Sequence, residues 1–373
     1  MSPSPTSTPD LIEVCRHFPL LGQFKSGLPY GSGHINDTFC VVFDQAGTRV
    51  RTILQRINQR VFKNVPFLME NISRVSAHLT NHVSGQAGAD TSRRVLTLIP
   101  TNQGTAYHQD AAGHCWRAYV FIEGAATHDI IRSPQQAYEA ALAFGEFQRL
   151  LSDLPAPRLH ETIPYFHHTR QRFETLKKAV AADAAGRVKL VGPEIDFVLR
   201  RESMVDVLLD LQAKGEIPER VTHNDTKLNN VMLDDANGRG ICVIDLDTVM
   251  PGLALYDFGD MVRSATNSAA EDETDLSRVH MQMPVFEALA RGYLTSAGKF
   301  LEDAEVAHLV FSARLITFEI GIRFLTDFLQ GDVYFKIKRP EHNLDRSRTQ
   351  FTMVSSMEAQ EAGMNALVEQ VAL

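Results

Sequence analysis

The chain has 373 residues, 44% of them hydrophobic and 22% charged, a balance typical of a globular protein. This length exceeds one compact core and predicts two domains or lobes. The net charge of −8 and the pI near 6.0 argue against nucleic acid or an anionic membrane as the main partner.

The cysteines and the N-terminus favour a reduced, cytoplasmic protein. The four cysteines are scattered and form no CxxC pair. The opening MSPSPTSTPD lacks the basic and apolar regions of a signal peptide, and we expect it to be a loose polar tail. No stretch of the sequence approaches the roughly 18 apolar residues that a membrane-spanning helix requires.

The first 123 residues predict strands around one helix. Apolar residues at helical spacing (Phe67, Leu68, Ile72, Val75 and Leu79) predict the helix over Val65–His82. Four runs predict the strands. They are Thr38–Phe43, Arg51–Ile57, Val95–Pro100 and Trp116–Ile122.

After Gly124 the pattern becomes mostly helical, with one exception over Val221–Asp247, where short strand-like pieces alternate with loops. The predicted helices are Gln135–Leu151, Glu194–Ala213, Val285–Thr295, Glu305–Leu329 and Arg346–Val371. The predicted fold is α+β and protein-kinase-like. A small β-rich N-terminal nucleotide-binding lobe (residues 1–123) precedes a larger, mostly helical C-terminal catalytic and substrate-binding lobe (residues 124–373).

The stretch VTHNDTKLNNVMLDDANGRGICVIDLDTVMPG, residues 221–252, carries the chemistry. Asp225 and Asn230 have the H-x-D-x-x-x-x-N spacing of kinase-like phosphotransferases, and Asp245 follows an apolar strand. We assign Asp225 as the base that takes the acceptor's hydroxyl proton and Asn230 and Asp245 as Mg²⁺ ligands. Lys227 could place its ammonium on the transferring phosphate.

Other polar residues near this stretch have simpler interpretations. An Asx-rich surface turn is the alternative for HND by itself. Asp257 spells DFG with its neighbours but follows no strand, and we interpret it as structural, bracing the loop or capping the next helix. Asp247 should point away from Asp245 and is an outside candidate for the metal.

A glycine-containing segment, PYGSGHINDTF, precedes the first predicted strand. Glycines let backbone N–H groups approach phosphate oxygens, although a plain hairpin turn is the alternative. Placed in a β-rich lobe, the segment predicts a nucleotide lid. Its candidate residues are Gly31, Ser32, Gly33, His34, Asn36 and Thr38.

The third strand of a kinase normally supplies a lysine to the α- and β-phosphates, but Gln55 occupies that position here. Glutamine donates a hydrogen bond and brings no charge. Either Arg56 substitutes for the lysine, or metal and loop amides neutralise more of the phosphate charge.

At these motifs the sequence resembles the aminoglycoside phosphotransferase and choline kinase group, and within it the N-acetylhexosamine 1-kinase branch. The resemblance covers nearly the whole chain, and HNDTKLNN and IDLDTVMPG are its specific motifs. It implies ATP- and Mg²⁺-dependent phosphorylation of the anomeric hydroxyl of N-acetylglucosamine or N-acetylgalactosamine. The expected partners are this sugar and ATP, bound by a monomer or homodimer.

The resemblance also implies roles for residues that the pattern alone does not assign. The segment from Phe121 to Glu123 would be the adenine hinge, and Gln55 matches the branch. Arg323 and Tyr334 would hold the sugar together with Asp225. Ser264 is a departure from the family pattern.

Alternatives exist for these side chains and for the acceptor. Arg323 could form a helix salt bridge with Glu319, Tyr334 could be a core residue, and the His167–His168 pair could be surface histidines. An aminoglycoside, choline or homoserine could be the acceptor instead of a sugar. A kinase-like binding module without activity is the third hypothesis, and the intact Asp225, Asn230 and Asp245 argue against it.

Overall fold

The structure is a computed structural model that describes residues 10–31, 33, 35–85 and 90–372. The chain divides into two compact units, Met1–Ala125 and Ala126–Leu373. The predicted boundary lies two residues earlier, after residue 123. The binding roles assigned to the two lobes stay predictions.

The first unit contains a six-stranded antiparallel sheet in the order β1-β2-β3-β6-β4, with β5 paired to β6. The β2–β3 hairpin turns at Ala46 and Gly47, which both have positive φ and so match the right-handed twist of the strands. The strands are β1 (Gln23–Pro29), β2 (Asp37–Gln45), β3 (Thr48–Arg56), β4 (Leu98–Ile99), β5 (His108–Gln109) and β6 (Cys115–Val120). The helices are α1 (Leu11–Cys15), α2 (Val65–Ser84) and α3 (Thr91–Arg94).

The core of this unit lies between α1 and one face of the sheet. Trp116 is 1% exposed and packs with Val41 and Leu54 in this core. Helix α2 extends over nearly the predicted range, because Asn64 caps its N-terminus and its apolar residues recur at helical spacing. Phe67, one of the apolar residues at this spacing, is 44% exposed.

The second unit is mostly helical and contains two small groups of strands. Its helices are α4 (Pro134–Leu151), α5 (Thr169–Ala182), α6 (Gly192–Leu199), α7 (Val207–Ala213), α8 (Ala254–Ala265), α9 (Met283–Ala297), α10 (Asp303–Ala307), α11 (Leu309–Leu329) and α12 (His342–Ala372). Its strands are β8 (Arg220–Thr222), β9 (Val231–Asp234), β10 (Gly240–Val243) and β11 (Met250–Gly252), and β7 (Ala125–Ala126) spans the division. Strands β9 and β10 form one antiparallel pair, and β8 and β11 form another.

Helix α11 is the centre of this unit and is buried along most of its length. It packs on α5, α8 and α12, and a cluster of buried apolar side chains such as Phe318 and Phe328 fills these interfaces. At the α8 contact, a Cβ on Gly259 would lie 2.6 Å from the Ser312 carbonyl oxygen, so only glycine allows this approach. The strand-rich first unit and the mostly helical second unit confirm the predicted α+β class.

Two predicted helices are each broken in the structure. The predicted helix over Glu194–Ala213 separates into α6 and α7, because Arg201 between them pairs with Glu358 of α12. The predicted helix over Glu305–Leu329 separates at His308 into α10 and α11. Among the described helices, none combines the length and apolar character needed to cross a membrane.

Candidate active site

The predicted catalytic residues lie on the loop that connects β8 to β9. Asn224 has a φ of 64°, a left-handed conformation that asparagine tolerates, and it turns the chain immediately before Asp225. The side-chain amide nitrogen of Asn230 donates to the Asp225 carbonyl at 2.8 Å and to its carboxylate at 3.1 Å. The Lys227 ammonium lies 2.7 Å from the other carboxylate oxygen.

Asp245 lies beside this loop because its neighbour Ile244 forms two hydrogen bonds with residues of the loop. The Ile244 N–H donates to the Asn230 carbonyl, and Nε2 of His223 donates to the Ile244 carbonyl, both at 2.9 Å. Asp245 itself has a φ of 58° and an exposed side chain. The structure thus brings Asp225, Asn230 and Asp245 to adjoining backbone, whereas Asp247 is buried in a 3-10 turn.

The oxygen atoms in this cluster suit a hard divalent cation. Since Asn230 uses its nitrogen on Asp225, its Oδ1 is the atom left for a metal, and Oδ1 accepts no hydrogen bond within the described part of the chain. The exposed Asp245 carboxylate supplies the negative charge that Mg²⁺ prefers. These two residues can therefore hold Mg²⁺.

Opposing effects set the protonation of the Asp225–Lys227 pair. Burial alone would raise the pKa of Asp225, but the charge and hydrogen bond of Lys227, with weaker contributions from His223 and Arg263, outweigh it. The pKa of Asp225 therefore lies below its ordinary value. Asp225 reciprocally raises the pKa of Lys227. At neutral pH the carboxylate is ionised and able to accept a proton.

Asp257 braces the catalytic loop from helix α8, as its structural interpretation predicted. Its carboxylate accepts the backbone N–H of His223 at 2.9 Å and that of Asn224 at 2.6 Å. It also accepts the amide of Gln148 at 2.6 Å, and Gln148 in turn accepts the Tyr293 hydroxyl. Burial raises the pKa of Asp257, and these donors oppose the increase. The prediction that Asp257 supports the loop is confirmed.

In the first unit, Thr38, Gln55 and Arg117 form a row across three neighbouring strands. The Gln55 amide donates to the Thr38 hydroxyl at 2.9 Å, and its oxygen accepts Nε of Arg117 at 3.0 Å. Arg117 is 1% exposed, so a buried cation lies beside the position of the missing lysine. Arg56 is the next residue along β3, where side chains alternate in direction, and its guanidinium pairs with Asp37.

Three further residues predicted to bind nucleotide lie between β1 and β2. Gly31 has a φ of 81°, Gly33 is exposed, and Asn36 accepts the Asn58 N–H at 3.0 Å. Ser32 and His34 lie outside the described residues.

The segment predicted as the adenine hinge is held by two arginines. Arg51 stacks on the Phe121 ring at 3.8 Å and pairs with the Glu123 carboxylate, and this hydrogen bond lowers the pKa of Glu123. The Glu123 carbonyl accepts Nε of Arg93 at 3.0 Å. The Glu123 carbonyl therefore already accepts a hydrogen bond within the first unit.

Arg323 lies among aromatic rings in the second unit and does not pair with Glu319. Its guanidinium lies 5.3 Å from the Phe166 ring and 5.9 Å from the Tyr334 ring. No ion pair or hydrogen bond of Arg323 occurs among the described residues, so the helix salt bridge is wrong. Tyr334 is 60% exposed, so the alternative of core packing is also wrong.

The loop that carries Tyr334 is pinned by a single buried carboxylate. Asp327 accepts the backbone N–H groups of Val333, Tyr334 and Phe335 at 2.8–2.9 Å, and the amide of Asn343 at 2.9 Å. Four donors on one carboxylate hold the loop in one conformation. Tyr334 is therefore presented to solvent from a fixed backbone.

The sequence interpretation missed His167 and Glu319. His167 was predicted as a surface or loop histidine; it lies in the loop before α5, but it is buried. It contacts Glu319 at 2.9 Å and the Asn224 carbonyl at 3.1 Å. Both contacts join residues far apart in the chain, and no local pattern marks them.

A cavity of about 500 Å³ in the second unit adjoins the catalytic loop. Lys227, Asn229, Arg263 and Gln350 contribute polar groups to its wall, and Ile130 and Val285 are among its apolar residues. Its size is within the range of small-molecule sites.

In the acidic stretch at residues 271–275, Glu271 pairs with Arg263 and Arg346, and Asp272 pairs with Arg339.

The fold and the residues gathered on this loop are those of a kinase-like phosphotransferase. Residues 26–294 match the model of the phosphotransferase enzyme family (APH). The chain belongs to this family.

Several solved structures share this fold at low sequence identity. A microcompartment-associated aminopropanol kinase is 16% identical, with 95% of this chain and 97% of that chain covered and a TM-score of 0.57. A spectinomycin phosphotransferase solved with ADP and spectinomycin is 12% identical, with 95% and 99% covered and a TM-score of 0.59. A choline kinase from Cryptosporidium parvum is 15% identical, with 97% and 98% covered and a TM-score of 0.58. The predicted protein-kinase-like fold is confirmed.

Proposed function

We propose that the protein is an ATP- and Mg²⁺-dependent kinase that phosphorylates the anomeric C1 hydroxyl of N-acetylhexosamines. The observation that carries the reaction is the contact of Asn230 and Lys227 with the Asp225 carboxylate, beside Asp245. These are the groups that phosphoryl transfer requires: a carboxylate base, a cation for the phosphoryl group and oxygen ligands for a metal.

In the proposed reaction Asp225 orients the C1 hydroxyl and accepts its proton as the oxygen attacks the γ-phosphorus of ATP. Lys227, now on Asp225, is close enough to exchange that contact for one with the transferring phosphoryl group. Asn230 and Asp245 would hold Mg²⁺, which would neutralise charge on the phosphate oxygens when bound. The ATP β–γ bond breaks, and ADP and the sugar 1-phosphate are the products.

The nucleotide is assigned to the first unit, on residues of the glycine segment and of β2, β3 and the segment after β6. Those residues are Gly31, Ser32, Gly33, His34, Asn36, Thr38, Gln55, Phe121 and Glu123. The related spectinomycin phosphotransferase was solved with ADP, which supports an adenine nucleotide here. Arg117, held by Gln55, supplies the buried positive charge of this unit.

The surroundings of Arg323 favour a neutral acceptor over a cationic one. Arg172 lies near Arg323, and burial followed by the charge of Arg323 lowers the pKa of Arg172. The nearest acidic partner, Glu319, is bonded to His167 and Thr169. Two guanidinium groups would repel choline or an aminoglycoside, whereas sugar oxygens accept hydrogen bonds from arginine and sugar rings stack on aromatic faces.

An acceptor panel tests the proposal directly. N-acetylglucosamine, N-acetylgalactosamine, glucose, choline, homoserine and spectinomycin are each incubated with ATP and Mg²⁺, and ADP formation and the ³¹P spectrum of the product are recorded. We expect turnover of the N-acetylhexosamines with a signal from an anomeric phosphate. Turnover of an amine acceptor without turnover of any N-acetylhexosamine would reject the sugar assignment.

The variant Arg323→Ala tests where the acceptor binds in the second unit. We expect the KM of the sugar to rise at least about tenfold, because a charged hydrogen-bond donor contributes roughly 1.5–3 kcal/mol, while the KM of ATP changes little. Gln350→Leu is the matched variant in the cavity beside Lys227. A larger rise of the sugar KM in Gln350→Leu than in Arg323→Ala would move the acceptor into that cavity.

A further inference from the structure

His167 connects the catalytic loop to the helix that carries Arg323. Its Nδ1 lies 2.9 Å from a carboxylate oxygen of Glu319, and its Nε2 lies 3.1 Å from the carbonyl oxygen of Asn224. The side chains of His167 and Glu319 are only 3% and 0% exposed. Solvent is therefore not a competing partner for either ring nitrogen.

Both partners of the His167 ring can only accept hydrogen bonds. The Asn224 carbonyl has no proton to donate. Burial alone would raise the pKa of Glu319, but the hydrogen bonds and charges of His167, Thr169 and Arg323 outweigh it, and the pKa of Glu319 lies below its ordinary value. The two ring nitrogens of His167 therefore each face an oxygen, one on α11 and one on the catalytic loop. The ring is a buried hydrogen-bonded link between these two elements.

The carbonyl that His167 contacts belongs to the peptide unit between Asn224 and Asp225. The N–H of Asn224 is held from the other side by Asp257 at 2.6 Å. With φ at 64°, this residue has a sparsely populated conformation that its surroundings must maintain. The two hydrogen bonds fix the peptide units before and after Asn224, and so fix the direction in which the Asp225 side chain leaves the backbone.

The same segment of chain also reaches the candidate acceptor residues. Phe166, adjacent to His167, places its ring 5.3 Å from the Arg323 guanidinium. Thr169 donates to the second carboxylate oxygen of Glu319 at 2.6 Å. Glu319 lies one helical turn before Arg323 on α11. Movement of Arg323 on ligand binding would therefore be transmitted to the ring of His167.

We propose that His167 is a positioning residue that couples the acceptor surface around Arg323 to the orientation of Asp225. It does not touch the reacting atoms. One ring nitrogen of His167 contacts the Asn224 carbonyl, and the contact of the other with Glu319 orients the ring. This coupling rests on the proposed function in so far as Asp225 is the base and Arg323 contacts the acceptor.

Steady-state kinetics of His167 variants provide the first test. We expect His167→Ala to lower kcat about 10²-fold, the cost of misplacing a catalytic group by about 1 Å, with the KM of ATP changed less than about twofold. His167→Gln, which restores one donor, should recover part of kcat. Phe318→Leu is the matched control, since Phe318 is buried on the same helix as Glu319 and its side chain forms no hydrogen bond to the catalytic loop. A fall in kcat no larger than that of Phe318→Leu at equal thermal stability would overturn the proposal.

Nuclear magnetic resonance supplies a test that needs no acceptor. The ¹⁵N signals of the His167 ring should shift in Glu319→Gln, because one ring nitrogen loses its carboxylate partner. The backbone amide of Asp225 should shift in His167→Ala and stay unchanged in Phe318→Leu. Unchanged His167 ring signals in Glu319→Gln, or an unmoved Asp225 signal in His167→Ala, would reject the coupling. If instead no sugar in the panel is phosphorylated, the proposed function fails while these signals still decide the role of His167.

Discussion

The side-chain amide of Asn230 donates to both the carbonyl and the carboxylate of Asp225, at 2.8 and 3.1 Å. One residue therefore orients the proposed base through its nitrogen and leaves its oxygen available for the proposed metal. The sequence pattern assigns the base to Asp225 and a metal ligand to Asn230, and the Asn230 amide group links these two proposed functions.

Asn230→Ala removes both functions at once. We expect kcat to fall more than about tenfold, because the Asp225 carboxylate loses a donor worth roughly 1–3 kcal/mol, and the Mg²⁺ concentration for half-maximal activity to rise. A titration of activity against Mg²⁺ measures both. Asn229→Ala is the matched control, since the neighbouring amide donates to Asp129 instead. Identical Mg²⁺ dependence in the two variants would contradict the assignment of Asn230.

Asp225→Asn tests the proposed base. Asparagine keeps the size of the side chain and removes its ability to accept a proton, so turnover should fall at least ~10²-fold. Circular dichroism should show an unchanged fold. Asp235→Asn, on the exposed turn after β9, serves as the control. Near-wild-type turnover in Asp225→Asn would exclude Asp225 as the base.

Asp257→Asn tests the brace beneath the loop. Its carboxylate accepts three hydrogen bonds, from the His223 and Asn224 N–H groups and from Gln148, and an amide group cannot accept all three. We expect a loss of about 1–3 kcal/mol in the free energy of unfolding, the cost of one buried unsatisfied donor, together with lower kcat. Chemical denaturation and kinetics measure these. Gln148→Leu should cause a smaller loss of kcat, since it leaves both loop N–H groups bonded, and the reverse order would refute this account.

Gln55→Leu tests the row that replaces the usual lysine. Leucine leaves the buried Nε of Arg117 without the Gln55 oxygen, so we expect the first unit to lose roughly 1–3 kcal/mol of stability and the KM of ATP to rise. Arg56→Ala is the control on the same strand. Its pair with Asp37 is partly exposed, and such pairs contribute about 0–1 kcal/mol. A larger rise in the KM of ATP for Arg56→Ala would instead favour Arg56 as the substitute for the lysine.

The low pKa of Glu319 predicts acid sensitivity. Because its folded-state pKa lies below the ordinary value of about 4.3, its contribution to stability is complete above that value and decreases as the pH falls through the lowered pKa. As the pH is lowered through this range, the Tm of Glu319→Gln should therefore fall less steeply than the Tm of the wild-type protein. Glu361→Gln, which alters a partly exposed pair with Arg314, is the control and should leave the slope unchanged. Equal slopes in wild-type protein and Glu319→Gln would disprove this origin of the acid sensitivity.

The residues predicted from local sequence patterns have positions that the nearby backbone sets. Asp225, Asn230 and Asp245 stand at set intervals from short apolar strands, and the loop between β8 and β9 and the end of β10 bring them to adjoining backbone. Asp257 was distinguished from Asp245 because no strand precedes it, and the structure places it beneath the loop.

Residues whose roles depend on distant contacts were misjudged. Arg323 and Glu319 have the i,i+4 spacing of a helix salt bridge, but His167 and Thr169, about 150 residues earlier in the chain, occupy the Glu319 carboxylate. The helix predicted over Glu194–Ala213 likewise ends at Leu199, and Arg201 just beyond it pairs with Glu358, far along the chain.

The sequence by itself determined the α+β class, the change from a strand-rich part to a mostly helical part, and the motif typical of a phosphotransferase. Spacing along the backbone governs all three, since hydrophobic periodicity and short-range turns are local properties. Only the tertiary structure decided which buried charges pair and what supports the loop before Asp225. Those contacts join elements far apart in the chain, and packing and desolvation select them with no trace in any short stretch of residues.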